Sequence, residues 1–133
     1  MDDYPIPTAL VVSPSLALTA QIELLLEELR FKAVSFLRAQ EGLDFLKGNT
    51  PAVIILDEGL EIDPFTIAGR LKLIKRLRDV PVVLLVSDQN ERITITAEVS
   101  RVDHLIPKPL DRRRLKGLLR SLAHPGSEGG LVD

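Results

Sequence analysis

An aspartate that directly follows a run of apolar residues is the side chain of this sequence best placed for chemistry. Residues 52–56 read Ala-Val-Ile-Ile-Leu and lead straight into Asp57. An unbroken apolar run rich in β-branched residues is typical of a strand buried on both faces of a parallel sheet. Open α/β sheets bind their ligands at the carboxyl ends of their strands, which is where Asp57 would lie. The sequence therefore predicts a carboxylate site at one edge of a wound sheet.

Other sequence patterns that would carry chemistry are absent or incomplete. Ser13-Pro14-Ser15 lacks the Gly-x-Ser-x-Gly context of a nucleophile elbow, and no Gly-x-Gly-x-x-Gly follows the first apolar run. The sequence contains no cysteine, which excludes thiol catalysis and thiolate metal sites. Two histidines, His104 and His124, are too few for a histidine metal cluster, and His104 is expected at the surface or in a hydrogen bond. We predict that the chain is not an enzyme.

The periodicity of the chain predicts five strand-and-helix units. Strands are predicted at residues 8–12, 33–37, 52–56, 81–86 and 104–107, and helices at 16–29, 40–47, 66–78, 90–102 and 112–122. This alternation indicates right-handed crossovers and a parallel sheet with helices on both faces. The helix at 90–102 is rich in β-branched residues and should be weak. The proline that ends the strand at 104–107 suits an edge of the sheet.

The spacing of polar and apolar residues predicts two further details of these helices. Ser15 and Asp111 each precede a helical stretch and are expected to cap it. The helix at 66–78 carries one apolar and one basic set of side chains at helical spacing. The apolar set is expected to point inward and the basic set mostly outward: Ile67, Leu71, Ile74 and Leu77 against Arg70, Lys72, Lys75, Arg76 and Arg78.

Length and composition are those of one globular domain. The chain has 133 residues, of which 45% are hydrophobic and 27% charged, with a net charge of −2. This charge gives no reason to expect a nucleic acid or an acidic membrane as partner. No apolar run approaches the ~20 residues that cross a bilayer, and the acidic N-terminus lacks a signal-peptide pattern. We expect a cytoplasmic domain at residues 8–123, a leader at 1–7 and a flexible tail or linker at 124–133.

Five segments of the chain, in their order, match one known family. They are Ala-Leu-Val-Val at 9–12, Leu-Leu-Glu-Glu-Leu-Arg-Phe at 25–31, Ile-Ile-Leu-Asp at 54–57, Val-Pro-Val-Val-Leu-Leu-Val-Ser at 80–87 and Leu-Ile-Pro-Lys-Pro-Leu at 105–110. Through them, residues 9–123 resemble the CheY-like receiver domain of bacterial response regulators. The resemblance implies a flavodoxin-like, three-layer (βα)5 α/β fold, doubly wound, with a five-stranded parallel sheet of order 2-1-3-4-5. It also implies that Asp57 is the phospho-acceptor candidate and Lys108 the family's invariant lysine.

The same comparison exposes departures at the site. Where the family has two acids that hold Mg²⁺ together with the acceptor aspartate, this chain has Ser13 and Pro14. Where the family has a Thr or Ser that binds a phosphoryl oxygen, the alignment gives Val86, and Ser87 follows one position later. The proline common in the loop after the acceptor aligns with Glu61. The acidic companions of the acceptor are thus replaced by a hydroxyl and a ring.

These replacements weaken the case for a metal. Magnesium prefers near-octahedral coordination by oxygen, commonly with one or two carboxylates. Asp57 is a poor cage by itself, and Asp88 is a weak further candidate, so no metal and no cofactor are expected, with Mg²⁺ only if the acceptor site is active. Lys108 is expected to form an ion pair with Asp57, because an unpaired buried charge is costly. Ser13 and Ser87 are expected to support the site.

The departures favour a pseudo-receiver, a domain that acts mainly as a protein-interaction module in a two-component phosphorelay, with weak or absent Mg²⁺-dependent phosphorylation. Its partner would be a histidine kinase, an output domain or another signalling protein. The resemblance places the candidate contact surface on the fourth helix, fifth strand and fifth helix, at Arg101, Leu105, Arg113 and Arg114. Two alternatives remain open. Asp57 could be a working phospho-acceptor with Asp88 or Glu58 as substitute ligands, or the chain could be a dimerisation or regulatory domain of a longer protein.

Overall fold

Five strands alternate with five helices along the chain. In the computed structural model, which describes residues 6–123, they are β1 (Thr8–Val12), α1 (Leu16–Glu28), β2 (Lys32–Phe36), α2 (Ala39–Leu46), β3 (Val53–Asp57), α3 (Pro64–Leu71), β4 (Val82–Val86), α4 (Glu91–Ser100), β5 (His104–Pro107) and α5 (Arg112–Ala123). The predicted tail at 124–133 and most of the predicted leader at 1–7 lie outside the described residues. Within residues 6–123, no helix is long and apolar enough to cross a membrane.

The sheet has the topology that the sequence predicts. All neighbouring strands are parallel, and their order is β2-β1-β3-β4-β5. The doubly wound flavodoxin-like fold is therefore confirmed, and β5 lies at an edge of the sheet, as its terminal proline indicated. Asp57 is in register with Leu85, and Val86 is in register with Pro107. The residues that follow β3, β4 and β5 consequently meet at one edge.

Alternate residues of the central strands belong to two separate apolar layers. Ile54 and Leu56 pack into the layer that holds the buried residues of α2 and α3. Val53 and Ile55 pack into the opposite layer, with the buried residues of α1 and α5. Because both faces are covered, every position of such a strand must be apolar. This explains why the run before Asp57 shows no alternation, and it fixes that residue at the end of a rigid element.

The predicted caps begin two of the helices. Ser15 Oγ accepts a hydrogen bond from the Leu18 N–H at 3.1 Å, at the start of α1. Asp111 Oδ1 accepts one from the Arg114 N–H at 3.2 Å, at the start of α5. Each cap satisfies one of the N–H groups that a helix leaves without an internal partner. Ser15 thereby also fixes where the chain leaves β1, next to the candidate site.

The third helix is shorter than its sequence pattern predicts. It ends at Leu71, and a series of turns follows to residue 79. Lys72, predicted to point outward, is only 5% exposed, and Ile74, predicted to point inward, is 43% exposed. Both predictions were wrong because they continued the helical periodicity through residues that are not helical.

The buried ammonium of Lys72 stabilises those turns. Its Nζ donates to the backbone carbonyls of Arg78 at 3.3 Å and Val80 at 3.0 Å, and to Asp103 Oδ2 at 2.7 Å. A lysine has three donors, so each has one acceptor here. The same Asp103 oxygen also accepts from the Val82 N–H at 2.7 Å. The ion pair therefore joins the end of α3 to the beginnings of β4 and β5.

Candidate functional site

Asp57 lies at the carboxyl end of β3, and both of its carboxylate oxygens are occupied by hydrogen bonds within the chain. Oδ1 accepts from Lys108 Nζ at 2.8 Å and from the Gly59 N–H at 2.9 Å. Oδ2 accepts from Ser13 Oγ at 2.6 Å. The aspartate is 2% exposed. The structure thus brings together three residues that the sequence singled out: the acceptor candidate, the lysine and the first serine.

The chain that leaves β1 holds Ser13 in place. Its N–H donates to the Phe36 carbonyl at 3.1 Å, which continues the pairing of β1 with β2 by one residue. Its Oγ accepts from the Ser15 N–H at 3.1 Å while donating to Asp57. The hydroxyl is fully buried and has both a donor and an acceptor, so its orientation is fixed. Ser13 is therefore a permanent neighbour of the carboxylate.

Two opposing effects act on the pKa of Asp57. Burial raises the pKa, because it disfavours the charged form. Hydrogen bonds from Lys108, from Ser13 and from the backbone N–H of Gly59 lower the pKa, and together they outweigh burial. The pKa of this carboxyl is therefore held below its ordinary value, and Asp57 is an anion at neutral pH.

The lowered pKa predicts a loss of stability in acid. A carboxyl with a lower pKa in the folded chain than in the unfolded chain, where it is about 3.9, stabilises the fold above that value. This contribution is lost as the pH falls through the folded-state pKa. Urea unfolding between roughly pH 6 and pH 3 should show a weaker pH dependence in Asp57→Asn than in the unchanged protein. The exposed Asp79 offers the control Asp79→Asn, and equal slopes for both variants would contradict the prediction.

A second carboxylate, Glu58, joins the site. Its Oε2 accepts from the Ser87 N–H at 2.8 Å and also from Ser87 Oγ. Lys108 Nζ lies 3.6 Å from the same oxygen, and the Glu58 side chain is 34% exposed. Ser87, predicted to support the site, contacts Glu58. The direction of the Glu58 side chain could not be derived from the sequence.

The other acids near the site in sequence have different partners. Asp88 Oδ2 accepts from Asn90 Nδ2 at 3.0 Å, beside the start of α4. Asp63 Oδ1 accepts from the Phe65 N–H at 3.1 Å and caps α3. Among residues 6–123, no group of three or more Asp, Glu, His or Cys side chains could hold a metal ion. Asp57 and Glu58 are two carboxylates at this edge of the sheet, and each already accepts hydrogen bonds from within the chain.

Sequence reasoning missed the part that Glu61 takes. Its carboxylate accepts from the N–H groups of Ala39 at 2.8 Å and Gln40 at 3.1 Å, at the start of α2. These hydrogen bonds lower the pKa of Glu61, and the bond from Ala39 has the larger effect. The sequence feature that could have indicated this role is Arg38, which stands at the N-cap of α2 and provides no capping side chain. A helix that begins without its own cap needs an acceptor from elsewhere.

The four residues of the predicted contact surface lie directly after α4, on β5 and on α5. Arg101 follows α4 in a left-handed conformation, with φ of 65°. Leu105 is half-buried on β5, and Arg113 and Arg114 are exposed on α5. A groove of about 390 Å³ on this face is lined by Leu105 and Arg114, together with residues of α4. The lining of this groove also includes the acids Glu98 and Asp103, whereas Arg101 and Arg113 lie outside it.

No family model matches the chain. Over 121 residues the chain is 26% identical to the transcriptional regulatory protein AfsQ1 of Streptomyces coelicolor, a match that covers 90% of this chain and 52% of that protein. The chain thus spans about half the length of this curated relative. A solved receiver domain of a signal transduction histidine kinase from Syntrophus aciditrophicus is 26% identical, with a TM-score of 0.80, over 87% of this chain and 89% of that one.

A third similar structure is the receiver domain of the sensor histidine kinase PA1611 from Pseudomonas aeruginosa, which has a magnesium ion coordinated in its active-site cleft. Its TM-score is 0.78 at 16% identity, over 89% of this chain and 98% of that one, a likeness of fold alone. Together with the strand order, these comparisons show that the chain has the CheY-like fold and is similar to receiver domains of response regulators. The resemblance read from the sequence is confirmed.

Proposed function

We propose that this receiver domain acts mainly as a protein-interaction module in two-component signalling, with weak or absent Mg²⁺-dependent phosphorylation. The observation that carries the proposal is the condition of Asp57, which is 2% exposed and whose oxygens already accept hydrogen bonds from Lys108, Gly59 and Ser13. The charge of the carboxylate is compensated by the ammonium of Lys108, 2.8 Å away. A carboxylate whose charge and hydrogen bonds are satisfied in this way favours a single conformation of the site.

The chemistry of phosphoryl transfer explains why this arrangement opposes it. Catalysis of the transfer depends on positioning and on neutralising the charge of the phosphoryl oxygens. The chain after β1 provides a neutral hydroxyl at Ser13 and, at Pro14, neither a charge nor an N–H. Lys108 is the one cation within hydrogen-bond distance of Asp57 in the described part of the chain. An incoming phosphoryl group would therefore have to displace existing partners without the help of a divalent cation.

A docking role also accounts for the charge of α5. The helix carries five basic residues and no acid: Arg112, Arg113, Arg114, Lys116 and Arg120. Three of them stand in its first turn, where cations oppose the helix dipole and each costs about 0.3–1 kcal/mol. Arg112 and Lys116 pair with Glu28 within the chain, at 3.0 and 3.5 Å, so a partner would be bound mainly by the other three, Arg113, Arg114 and Arg120. We infer that the partner is a protein with an acidic surface, for which a histidine kinase or an output domain is the candidate class.

The proposal is tested by phosphorylation of the isolated chain. It is incubated with Mg²⁺ and acetyl phosphate, and its intact mass is measured at intervals. We expect no covalent adduct, because both Asp57 oxygens already accept hydrogen bonds from Lys108, Gly59 and Ser13, and neither Ser13 nor Pro14 provides a second acid beside them. A species heavier by roughly 80 Da that disappears in Asp57→Asn would overturn the proposal, since one phosphoryl group adds its mass and charge at the acceptor.

Two other functions have specific observations in their favour. The Asp57–Lys108 pair, 2.8 Å apart, is the arrangement that the resemblance implies for a working phospho-acceptor, and the same mass measurement decides it. A dimerisation or regulatory domain of a longer protein is favoured by Ile95 and Val99, which are 53% and 77% exposed one turn apart on α4. Light scattering addresses that role, and a monomer mass independent of concentration in the micromolar range would count against it.

A further inference from the structure

Three polar residues each stand directly after one of three adjacent strands. Glu58 follows β3, Ser87 follows β4 and Lys108 follows β5. The backbone extends the strand pairing to two of them, Glu58 and Lys108, because the Glu58 N–H donates to the Leu85 carbonyl at 3.1 Å and the Lys108 N–H donates to the Val86 carbonyl at 2.8 Å. Their positions are therefore fixed by the sheet and not by loops. Together with Ser87 they form a cluster beside Asp57, whose Oδ1 accepts from the same Lys108 Nζ at 2.8 Å.

The donors of this cluster converge on one carboxylate. The Ser87 N–H lies 2.8 Å from Glu58 Oε2, Ser87 Oγ donates to the same oxygen, and Lys108 Nζ is 3.6 Å away. A backbone N–H, a hydroxyl and an ammonium are the groups that bind oxyanions in proteins, and charged acceptors strengthen such bonds. The cluster is thus an oxyanion site, and the oxyanion in it belongs to the chain itself.

We propose that Glu58 is a resident oxyanion, which fills the place that a phosphate-type anion would take between Ser87 and Lys108. The proposal rests on the proposed function, for it explains how the domain keeps one conformation without phosphorylation. An intramolecular carboxylate acts at an effective concentration in the millimolar range or above. At equal intrinsic affinity, free phosphate below that concentration would leave Glu58 in place.

A short loop connects the Glu58–Ser87 contact to α4, next to the predicted contact surface. Ser87 begins the segment 87–90, which ends at Asn90, and Asn90 Oδ1 caps α4 by accepting from the Ile93 N–H at 2.9 Å. Glu58 therefore fixes the first residue of the loop whose last residue starts α4. Removing its carboxylate frees the loop at the site end, and an external anion that binds Ser87 and Lys108 restores the constraint.

The experiment compares anion binding by the full chain with and without this carboxylate. Inorganic phosphate, in the absence of Mg²⁺, is titrated into ¹⁵N-labelled protein, and the amide resonance of Ser87 is followed. In Glu58→Ala we expect new positions for the amides of 87–90 and, on adding phosphate, a saturable return towards the positions of the unchanged protein. The unchanged protein should bind at least tenfold more weakly. Asp88→Asn, which removes one nearby negative charge, should behave like the unchanged protein.

The outcomes distinguish the proposal about Glu58 from the proposed function of the domain. The proposal about Glu58 is overturned if folded Glu58→Ala shows no phosphate-dependent shift at Ser87, or if the unchanged protein and Asp88→Asn bind phosphate as tightly as Glu58→Ala does. If Glu58→Ala fails to fold, Glu58→Gln removes the charge and keeps the size, and the same criteria apply to it. Phosphorylation of Asp57 in the unchanged protein, read by mass, would sink the proposed function. If phosphate causes no shift at Ser87 in Glu58→Ala, and Asp57 is not phosphorylated, only the inference about Glu58 is rejected.

Discussion

Replacing Lys108 with methionine is expected to lower the free energy of unfolding by about 3–5 kcal/mol. The substitution would leave the carboxylate of Asp57, 2% exposed, with only the Ser13 hydroxyl and the Gly59 N–H as partners. Removing one member of a buried ion pair is strongly destabilising, because the other charge stays buried without compensation. Urea unfolding followed by circular dichroism at neutral pH measures the loss.

A surface lysine provides the matched control. Lys116 is 39% exposed and lies 3.5 Å from Glu28, which is 48% exposed. Such exposed pairs contribute at most about 1 kcal/mol, so Lys116→Met should have a small effect. Equal losses in the two lysine variants would contradict a structural ion pair at the site. The double variant Asp57→Asn/Lys108→Met should recover part of the loss, since the two partners are coupled.

Replacing Asp103 with alanine is the second substitution for which we expect a loss of about 3–5 kcal/mol. It leaves the ammonium of Lys72, 5% exposed, with only the carbonyls of Arg78 and Val80. It also removes the acceptor of the Val82 N–H. Thermal and urea unfolding should both report the change. The pair lies at the amino end of β4, so phosphorylation and anion binding at the opposite end should not be altered directly.

Asp79 again provides a control, because it is an exposed acid in the same turns. Asp79→Ala should change the free energy of unfolding by no more than about 0.5 kcal/mol. A loss in Asp103→Ala as small as this would mean that the ammonium of Lys72 reaches water once its partner is gone. Such a result would remove the ion pair from the interactions that hold α3, β4 and β5 together.

The sequence predicted what depends on local pattern. Unbroken apolar runs located β3 and β4, and the aspartate at the end of one run located the site. Ser15 and Asp111 were identified as caps because a cap and its helix are neighbours in sequence. The strand order followed from a resemblance, since periodicity implies a parallel sheet but does not order its strands.

The errors and omissions have a common physical origin in contacts between distant segments. Lys72 was assigned to the surface because cations usually are, and its acceptors at Arg78, Val80 and Asp103 could not be anticipated from helical spacing. The direction of Glu58 depends on the register between β3 and β4, which no local pattern specifies. Each of these polar groups is satisfied by tertiary structure, which is where pattern reasoning ends.

The contact around Gly59 makes the present site difficult to convert into a metal centre by small steps. A Cβ added at Gly59 would lie 3.6 Å from both Asp57 Oδ1 and Pro14 Cγ, so the carboxylate and the ring are neighbours across the glycine. An acid at position 13 alone would set two like charges side by side, which disfavours the ionised forms. An acid at position 14 alone would leave Asp57 still bonded to Ser13. Each single exchange therefore leaves the site either with a like-charge cost or with its present hydrogen bonds, so both exchanges would be needed together.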